Sequence, residues 1–492
     1  YGGATLTSTQ IESETGGSAV RKIFHNATVR GAALAVAIMS SAAVCAEQDL
    51  SLDDRVVQHR ALETIVWSMP MVSSKMMRDG LERDAGVGLN YVAYFSKIQN
   101  WKIDFTTNNN TTPYIHVYWN VEKEPVVVEL PASTADVGLV GTLLDFWQRS
   151  MIEVGATGQD GGRGGKYLVM SADYQGPQPD GYIAVYQKTF NGSTTLRPII
   201  KDTSAETLKK VTAFVKGIKV YPLSAASNPP ATRHIDIYDK KIGGLPPFDL
   251  RYFEELHALL GEERIEEKDL TFLGLLQSIG IEKGAPFEPD ARHRKLLESA
   301  AKDAQAYLRN YYLDRAAPPY YAGKQWSNSV PKSGVDSYMD WNFPSYVDYD
   351  ARGAAYWGFY TSFRKLGAAS FYLKASRDES GERLNGDNTY VLTVPAKVPL
   401  RNFWSVIAYE QKDATWIDNV PKAGVASIDE GVQTNSDGTV DVYFSPKAPK
   451  GKEANWVPTE AGAGFFLYFR IYGPEKAVWD KSWQLNDLKK VK

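Results

Sequence analysis

The chain has 492 residues, of which 43% are hydrophobic and 23% are charged. This is the composition of a globular protein, and it excludes a disordered, collagen-like or coiled-coil chain. The 55 basic and 58 acidic residues give a formal net charge of −3, so no strong electrostatic field favours nucleic acid as a partner. At roughly 100–200 residues per domain, the length predicts two or three domains.

The first 46 residues have the pattern of a secretory signal peptide. Arg21, Lys22 and Arg30 precede an apolar run over residues 31–44, and small residues surround a cleavage position after Ala46. The apolar run is too short to cross a bilayer. We therefore expect export, cleavage after Ala46, a periplasmic or secreted location, and no membrane span in the mature chain.

Cleavage at that position would also remove Cys45, the only cysteine. The mature chain would then have no thiol for a disulfide, a nucleophile or a metal ion. The sequence contains no nucleophile elbow, zinc-protease helix, EF-hand loop or dinucleotide-binding fingerprint. The histidines that remain are His59, His116, His234, His257 and His293, and they match no metal-ligand spacing. We predict neither a metal site nor a cofactor.

The hydrophobic period changes along the mature chain. Residues 53–80 have helical spacing, and residues 90–225 alternate as strands do, for example over 114–121. Helical spacing returns over 246–312, and strands resume after 385. Because the strands come in runs and do not alternate with helices, we predict a β-rich α+β protein. Its two antiparallel β-sandwich, jelly-roll-like domains would be joined by a helical connector.

These periods give four segments. They are an upstream segment with the signal peptide (1–46), a β-domain with a leading helix (47–245), a helical connector with an aromatic-rich segment (246–345), and a second β-domain (346–492).

A set of short motifs runs from about residue 50 to the C-terminus. The most distinctive are Thr107–Tyr114, Leu143–Trp147, Gly280–Gly284, Asn402–Ser405 and Asn455–Pro458. Together they resemble the bacterial DUF1254/DUF1214 family, although Thr111 stands where the family pattern has Asp. The resemblance implies an exported, two-domain, β-rich protein that is commonly oligomeric, and it implies no activity. We accordingly expect a homo-oligomer.

Two strand segments carry candidate ligand-binding residues. His116 shares a strand face with Tyr114 and Tyr118, and this face either lines a ligand or meets solvent or another surface. Asp145 and Arg197 interrupt otherwise apolar strands, where an unpaired charge is costly. They either pair with each other, or Arg197 binds an anionic substrate group.

Residues 311–360 are rich in aromatic side chains, with 14 among 50 residues. Aromatic rings beside carboxylates suit sugar rings and other polar ligands, but they suit an interdomain or subunit interface equally well. For a ligand cleft, the binding candidates are Trp341, Tyr349, Arg352 and Trp357. The catalytic candidates are Asp340, Asp348 and Asp145.

Two classes of function are compatible with these residues. The first is an exported hydrolase of a glycan, glycopeptide, small ester or amide, with Asp or Glu as acid and base. The second is a non-catalytic protein that binds a carbohydrate or another small ligand, or an assembly protein of the cell envelope. The sequence leaves open whether the protein is an enzyme. Convergence of two carboxylates in one aromatic-lined pocket would favour the hydrolase.

Overall fold

The leading segment forms the helix α1 (Leu52–Ala85), as its apolar spacing predicts. The structure is a computed structural model, and it describes residues 50–329, 339–359 and 370–491. The predicted signal peptide, residues 1–46, lies outside the described residues. α1 continues past the expected residue 80 and ends before Gly86, which adopts a φ of 70°. Glycine enters this left-handed conformation without steric cost, and the amide of Val87 then closes the turn on the carbonyl of Leu81.

The other helices connect and flank the sheets. The described α-helices after α1 are α2 (Ala205–Val215), α3 (Leu250–Glu262), α4 (Leu270–Ser278), α5 (Ala291–Asn310), α6 (Tyr349–Gly358) and α7 (Lys476–Trp479), and a π-helical turn (Tyr311–Arg315) follows α5. Asp249 and Asp290 cap α3 and α5 by accepting hydrogen bonds from first-turn amides. Contacts divide the chain into the units Tyr1–Arg55 and Val56–Lys492, and all described strands lie in the second.

The first β-region follows α1. Its strands are β1 (Val92–Tyr94), β2 (Ile103–Asp104), β3 (Ile115–Asn120), β4 (Val126–Leu130), β5 (Gly138–Asp145), β6 (Ser150–Gly155), β7 (Gly165–Ser171), β8 (Ile183–Gln187), β9 (Asn191–Ile199), β10 (Lys219–Pro222), β11 (His234–Asp236) and β12 (Ile242–Gly243). A six-stranded sheet has the order β11-β1-β3-β9-β5-β6, and a four-stranded sheet has the order β10-β4-β7-β8. Apolar side chains of both sheets, such as Val117, Trp119, Val128 and Val169, fill one core.

The second β-region follows the helical connector. Its strands are β13 (Ser327–Asn328), β14 (Ser370–Ala375), β15 (Thr389–Val394), β16 (Trp404–Glu410), β17 (Gly424–Ala426), β18 (Val440–Ser445), β19 (Trp456–Pro458), β20 (Phe465–Tyr472) and β21 (Lys489–Val491). They form sheets of order β13-β14-β20-β16-β17 and β19-β18-β15-β21. Leu373, Leu392, Phe444 and Leu467 belong to the core that these sheets share.

A third core joins the helices to both β-regions. It contains side chains of α1, α3, α5 and α6 together with Tyr114 and Tyr118 beside or on β3, and Tyr409 and Tyr468 on β16 and β20. The sheet faces opposite the two β-cores therefore meet the helical layer. Tyrosines from distant parts of the chain therefore lie together where the two β-regions and the helical layer meet. We call this place the seam.

The prediction of a mixed, strand-rich α+β protein is confirmed. The sheets are less uniformly antiparallel than expected, because β1 and β11, β2 and β12, β7 and β8, and β18 and β19 pair in parallel. In the last two cases the chain crosses over through long connections instead of hairpin turns. Within the described residues, no helix combines the length and the apolar character that a membrane span requires.

Candidate functional site

Strand β20 carries a cation in the middle of an aromatic segment. Its alternate side chains lie on opposite faces of the sheet. Leu467, Phe469 and Ile471 belong to the core of the second β-region, whereas Phe466 and Tyr468 belong to the helical core. The same alternation puts Arg470 and Tyr472 on the face of Phe466 and Tyr468. A guanidinium group therefore lies on the face that meets the rest of the molecule.

The strand register places two polar residues directly beside Arg470. Tyr372 of β14 and Ser405 of β16 are its cross-strand partners on the two sides of β20. In an antiparallel sheet, directly paired side chains lie on the same face within contact distance. Three polar side chains therefore form a row across the centre of the sheet.

Arg470 is enclosed by tyrosine rings. It is 2% exposed, and its Nη2 donates a hydrogen bond of 3.0 Å to the carbonyl of Thr107. The guanidinium carbon lies 5.0 Å from the ring centres of Tyr372 and Tyr468 and 5.5 Å from that of Tyr409. These distances are within the range of cation–π attraction. The contacts stabilise the cation, but none of them supplies a negative charge.

Several polar atoms of this row and of the neighbouring Tyr468 have no hydrogen-bond partner within the described residues. They are Nε and Nη1 of Arg470, Oγ of Ser405 and Oη of Tyr468. Leaving such a buried atom unpaired costs about 1–3 kcal/mol, and more for a charged group. These atoms on one sheet face therefore have unused capacity for hydrogen bonds to a ligand.

The first β-region contributes a strained loop to this seam. The Thr107 amide donates a 2.7 Å hydrogen bond to the Ala414 carbonyl, and both residues have positive φ, 45° and 63°. Neither is glycine, so each costs free energy that the surrounding contacts must offset. Tyr409 Oη donates a 2.5 Å hydrogen bond to the carbonyl of Asn108. The loop is thus held against the second β-region beside Arg470.

The same loop orients Tyr472. Asn109 donates a 2.9 Å hydrogen bond to Tyr472 Oη, and Thr111 Oγ1 lies 2.9 Å from the same oxygen. Thr111 Oγ1 also donates to Asn109 Oδ1 at 2.7 Å. Thr111 is therefore in direct contact with a tyrosine of the Arg470 sheet face.

The predicted residues of β3 and β9 join this seam. The Arg197 guanidinium lies 5.2 Å from the ring centre of Tyr114, and the His116 ring centre is 6.3 Å from that of Tyr114. His116 Nδ1 and Thr195 Oγ1 are 3.1 Å apart. Burial, helped by the charge of Arg197, lowers the pKa of His116 to about 3, so the imidazole is neutral at physiological pH. Tyr118 is buried on the same face.

Two cations act on Tyr372. Burial by itself raises its pKa, but the positive charges of Arg197 and Arg470 outweigh burial and lower it. We call this assembly the Arg470 cluster: Tyr114, Arg197, Tyr372, Ser405, Tyr409, Tyr468, Arg470 and Tyr472. Arg470 and Ser405 are fully buried, whereas Arg197, Tyr372 and Tyr472 are half-buried.

Asp145 and Arg197 do not pair with each other. Asp145 instead accepts a 2.5 Å hydrogen bond from Arg149, which also binds Glu266 at 2.7 Å. In the register of β5 and β9, Arg197 pairs with Val140, whereas Asp145 lies at the far end of β5. This separation along the strand explains why each charge has other partners.

Arg352 lies next to the ion pairs around Arg149. Lys268 lies 3.2 Å from Asp269, and Lys268 and Arg352 both lie over the ring of Trp147. Asp269 is the strongest favourable charge for Arg352, although burial lowers the Arg352 pKa to about 10. We call this group the Arg149 network: Asp145, Arg149, Glu266, Lys268, Asp269 and Arg352. Its carboxylates equal its cations in number.

The carboxylates predicted in the aromatic segment form hydrogen bonds within the fold. Asp348 caps α6 by accepting a hydrogen bond from the Ala351 amide, and Asp340 accepts one from the Asn342 amide. These contacts are typical of helix caps and turns. The two carboxylates therefore have structural roles in the free protein.

The aromatic candidates of the same segment pack against the helices. Trp341 is 0% exposed and Trp357 is 4% exposed. Tyr349 Oη donates a 2.9 Å hydrogen bond to Glu63 of α1. The two tryptophans are therefore part of the helical core and do not line an open cleft.

A separate cavity of about 730 Å³ lies in the second β-region. Its lining includes Asp378, Glu382, Arg383, Asn388 and Lys490. The carboxylate of Asp378 already accepts hydrogen bonds from its own loop, and Arg383 pairs with Asp314. Asp378 and Arg383 thus have partners of their own within the protein, whereas Arg470 has no carboxylate partner among the described residues.

Sequence reasoning missed Arg470, Tyr372 and Ser405. The criterion that selected Arg197, a charge within an apolar strand, applies equally to Arg470 in Phe465–Tyr472. Tyr372 and Ser405 carry no comparable signal, because only strand pairing brings them next to Arg470. Within the described residues, no group of three or more potential ligands is placed to hold a metal ion.

Comparison with known structures supports the fold. The VPA0106 protein from Vibrio parahaemolyticus is 18% identical, with a TM-score of 0.54 over 89% of this chain and 100% of that chain. At this identity the similarity concerns the fold alone. An uncharacterized protein from Burkholderia cenocepacia is 13% identical, with a TM-score of 0.39 over 89% of this chain and 96% of that chain. Among curated proteins, none matches the chain.

Two family models match the chain, and they confirm the resemblance seen in its motifs. The first covers residues 89–222 and the second covers residues 369–476. The first match includes Tyr114, His116 and Arg197, and the second includes Tyr372 and Arg470. The seam therefore lies between two matched domains. The chain contains a DUF1254 domain followed by a DUF1214 domain, and each is described as a protein of unknown function.

Proposed function

We propose that the protein binds a small anionic molecule at the Arg470 cluster, with the anionic group on Arg470 and Arg197. The observation that carries this proposal is the buried Arg470 guanidinium, whose Nε and Nη1 have no acceptor within the described residues. Its strongest electrostatic partners are four tyrosines, Tyr409, Tyr472, Tyr372 and Tyr114. An anion would supply both the missing acceptors and the missing charge.

A ligand would offset part of the cost of burying this cation. A buried charge without a counter-ion costs several kcal/mol, and cation–π contacts return about 2 kcal/mol each when desolvated. The strained residues Thr107 and Ala414 add to the cost at this seam. Strain and unpaired polar atoms gather at binding sites, because a ligand offsets them.

Of the two classes of function that the sequence allows, the geometry favours binding of a small ligand. The carboxylates proposed for hydrolysis have contacts with structural roles, since Asp145 binds Arg149 and Asp348 caps α6. Tyr114, His116 and Arg197, proposed as ligand-binding residues, lie together in the Arg470 cluster or beside it. We therefore propose a ligand-binding protein in which the tyrosine rings accommodate the apolar part of the anion.

The experiment compares two buried arginines. Acetate, benzoate, phosphate and sulfate are titrated into the protein by calorimetry and thermal melting. Arg470→Met should abolish binding and the anion-induced rise in melting temperature. Arg352→Met is the matched control, because Arg352 is also buried and also donates to a backbone carbonyl, that of Trp67 at 3.1 Å. Equal anion binding by wild type and Arg470→Met would contradict the proposal.

We further propose that residues 1–46 direct export and are cleaved after Ala46, giving a periplasmic or secreted protein. The support is the basic, apolar and small-residue pattern of this segment. We also propose jelly-roll-like β-sandwiches and a homo-oligomer, as the family resemblance implies. N-terminal sequencing of the periplasmic protein should begin at Glu47, and sedimentation should give a multiple of the monomer mass. Recovery of uncleaved protein from the cytosol would contradict export.

A further inference from the structure

Tyr372 differs from the other tyrosines near Arg470. Burial raises the pKa values of Tyr409, Tyr468 and Tyr472, as expected for phenols removed from water. For Tyr372, the charges of Arg197 and Arg470 outweigh burial and lower the pKa. The two arginines thus favour the phenolate form at this one position.

Tyr372 also differs from these tyrosines in its place in the sheet. Tyr372 is the cross-strand partner of Arg470, and its ring centre lies 5.0 Å from the guanidinium carbon. Arg197 acts on Tyr372 from the first β-region. Tyr372 is half-buried, whereas Arg470 is 2% exposed.

The groups that face Tyr372 come from three elements of the second β-region and from the first β-region. They are Lys374 on its own strand, Tyr468, Arg470 and Tyr472 on β20, Tyr409 on β16, and Tyr114 and Arg197 of the first β-region. Lys374 donates its hydrogen bond to the carbonyl of Tyr312 and lies over the Tyr312 ring. Among the described residues, the ionisable groups around Tyr372 are thus cations and other phenols.

We propose that Tyr372 controls anion binding through its own proton. This inference rests on the proposed function of the Arg470 cluster. The neutral phenol donates a hydrogen bond to the bound anion, next to the guanidinium groups. The phenolate instead neutralises those cations and repels the anion. When the phenol is ionised, binding therefore takes up one proton, which moves from solvent to Tyr372 Oη.

A carboxylate is the class of ligand that fits this coupling and the donors of the cluster. A carboxylic acid with a pKa of about 4 is fully ionised above neutral pH, so its charge stays constant while Tyr372 loses its proton. A phosphate group changes its charge near pH 6, and its dianion needs more donors than one guanidinium and one phenol provide. A carboxylate needs one positive charge and a few donors, which Arg470, Tyr372 and Ser405 supply.

The first experiment needs no ligand. Tyrosinate absorbance is followed while the pH of the intact protein is raised, and Tyr372→Phe is compared with Tyr468→Phe as the matched control. Wild type and Tyr468→Phe should show one tyrosine that ionises below the ordinary pKa of about 10, and Tyr372→Phe should lack that step. Identical titration curves for the three proteins would overturn the inference.

The second experiment measures the affinity for acetate and benzoate by calorimetry between about pH 7 and pH 10. Above the Tyr372 pKa, the wild-type affinity should fall about tenfold per pH unit, as expected for the uptake of one proton. The affinity of Tyr372→Phe should be weaker at neutral pH and independent of pH. Binding that is independent of pH in wild type would overturn this inference alone. Absence of binding at every pH would overturn the proposed function with it.

Discussion

The protein buries arginines in two regions, and the regions differ in whether carboxylates compensate the positive charge. In the Arg149 network, Arg149 lies between Asp145 and Glu266, and the carboxylates of the network equal its cations in number. In the Arg470 cluster, the guanidinium is surrounded by tyrosines, and two of its nitrogens have no acceptor within the described residues. Both regions contribute to the helical core. Trp147, beside the Arg149 network, and Tyr468, of the Arg470 cluster, belong to it.

The difference shows how a structural charge can be distinguished from a charge that awaits a ligand. A buried ion pair is satisfied within the fold, and removing one partner leaves the other charge unpaired. A buried cation without a counter-ion is costly in the free protein and becomes favourable when an anion binds. We therefore assign the Arg149 network to stability and the Arg470 cluster to ligand binding. The following changes test this division.

The largest effect should come from breaking the Arg149 network. Arg149→Met leaves Asp145 and Glu266 without their partner, and Asp145 is only 3% exposed. We expect a loss of about 3–5 kcal/mol in the free energy of unfolding, measured with urea. Lys210→Met is the control, since its ion pair with Glu206 is exposed and should contribute little to stability. Equal free energies of unfolding for the two variants would show that the ion pairs of Arg149 do not stabilise the fold.

Replacement of Trp341 tests whether the aromatic segment stabilises the fold or binds a ligand. Trp341 is fully buried, and its ring centre lies 5.7 Å from that of Tyr356. Trp341→Ala should destabilise the protein by about 3–5 kcal/mol, as expected for a buried tryptophan. Tyr346→Ala is the control, because Tyr346 is 57% exposed. Loss of ligand binding at unchanged stability would assign the segment to a ligand cleft instead.

Glu263, a carboxylate near Asp145 of the Arg149 network, should respond to pH in a different range from the Arg470 cluster. Burial raises the pKa of Glu263, whose charge is further disfavoured by nearby Asp145, to about 7. The folded state then holds a proton that the unfolded state releases at its ordinary pKa of 4.5. Stability from this group is therefore complete below pH 4.5 and is lost as the pH rises to about 7, by about 3 kcal/mol.

Glu263→Gln should remove this part of the pH dependence, measured by urea unfolding across that range. Glu267→Gln changes an exposed carboxylate nearby in the sequence and should leave the pH dependence of stability unchanged. An unchanged pH profile in Glu263→Gln would show that Glu263 is ionised in the folded protein. The Arg470 cluster, by contrast, should respond to alkaline pH through Tyr372.

The smallest stability change should come from adding a counter-ion to the Arg470 cluster. Thr111 Oγ1 lies 2.9 Å from Tyr472 Oη, so Thr111→Asp places a carboxylate at the edge of the cluster. We expect a gain of about 1 kcal/mol without ligand and the loss of anion-induced stabilisation. Asn110→Asp, in the same loop, is the control and should still respond to anions. If anions stabilise Thr111→Asp as much as wild type, the proposal that the Arg470 charge lacks a counter-ion is wrong.

Part of the candidate site was accessible from the sequence. Alternation along β3 put Tyr114, His116 and Tyr118 on one face, and the cost of a charge in an apolar strand selected Arg197. The same criterion would have selected Arg470. The sequence did not indicate that Arg197 and Arg470 act on one tyrosine, since they lie in different β-regions.

The sequence by itself determined the features that depend on neighbouring residues. The apolar periods specify the helices and strands, and Asp249 and Asp290 specify helix starts through hydrogen bonds within one turn. Tertiary structure alone decided which charges are paired. Asp145 binds Arg149 and not Arg197, and Arg470 lies among tyrosines of other strands. Such pairing depends on strand register and on the packing of distant segments, which local spacing does not encode.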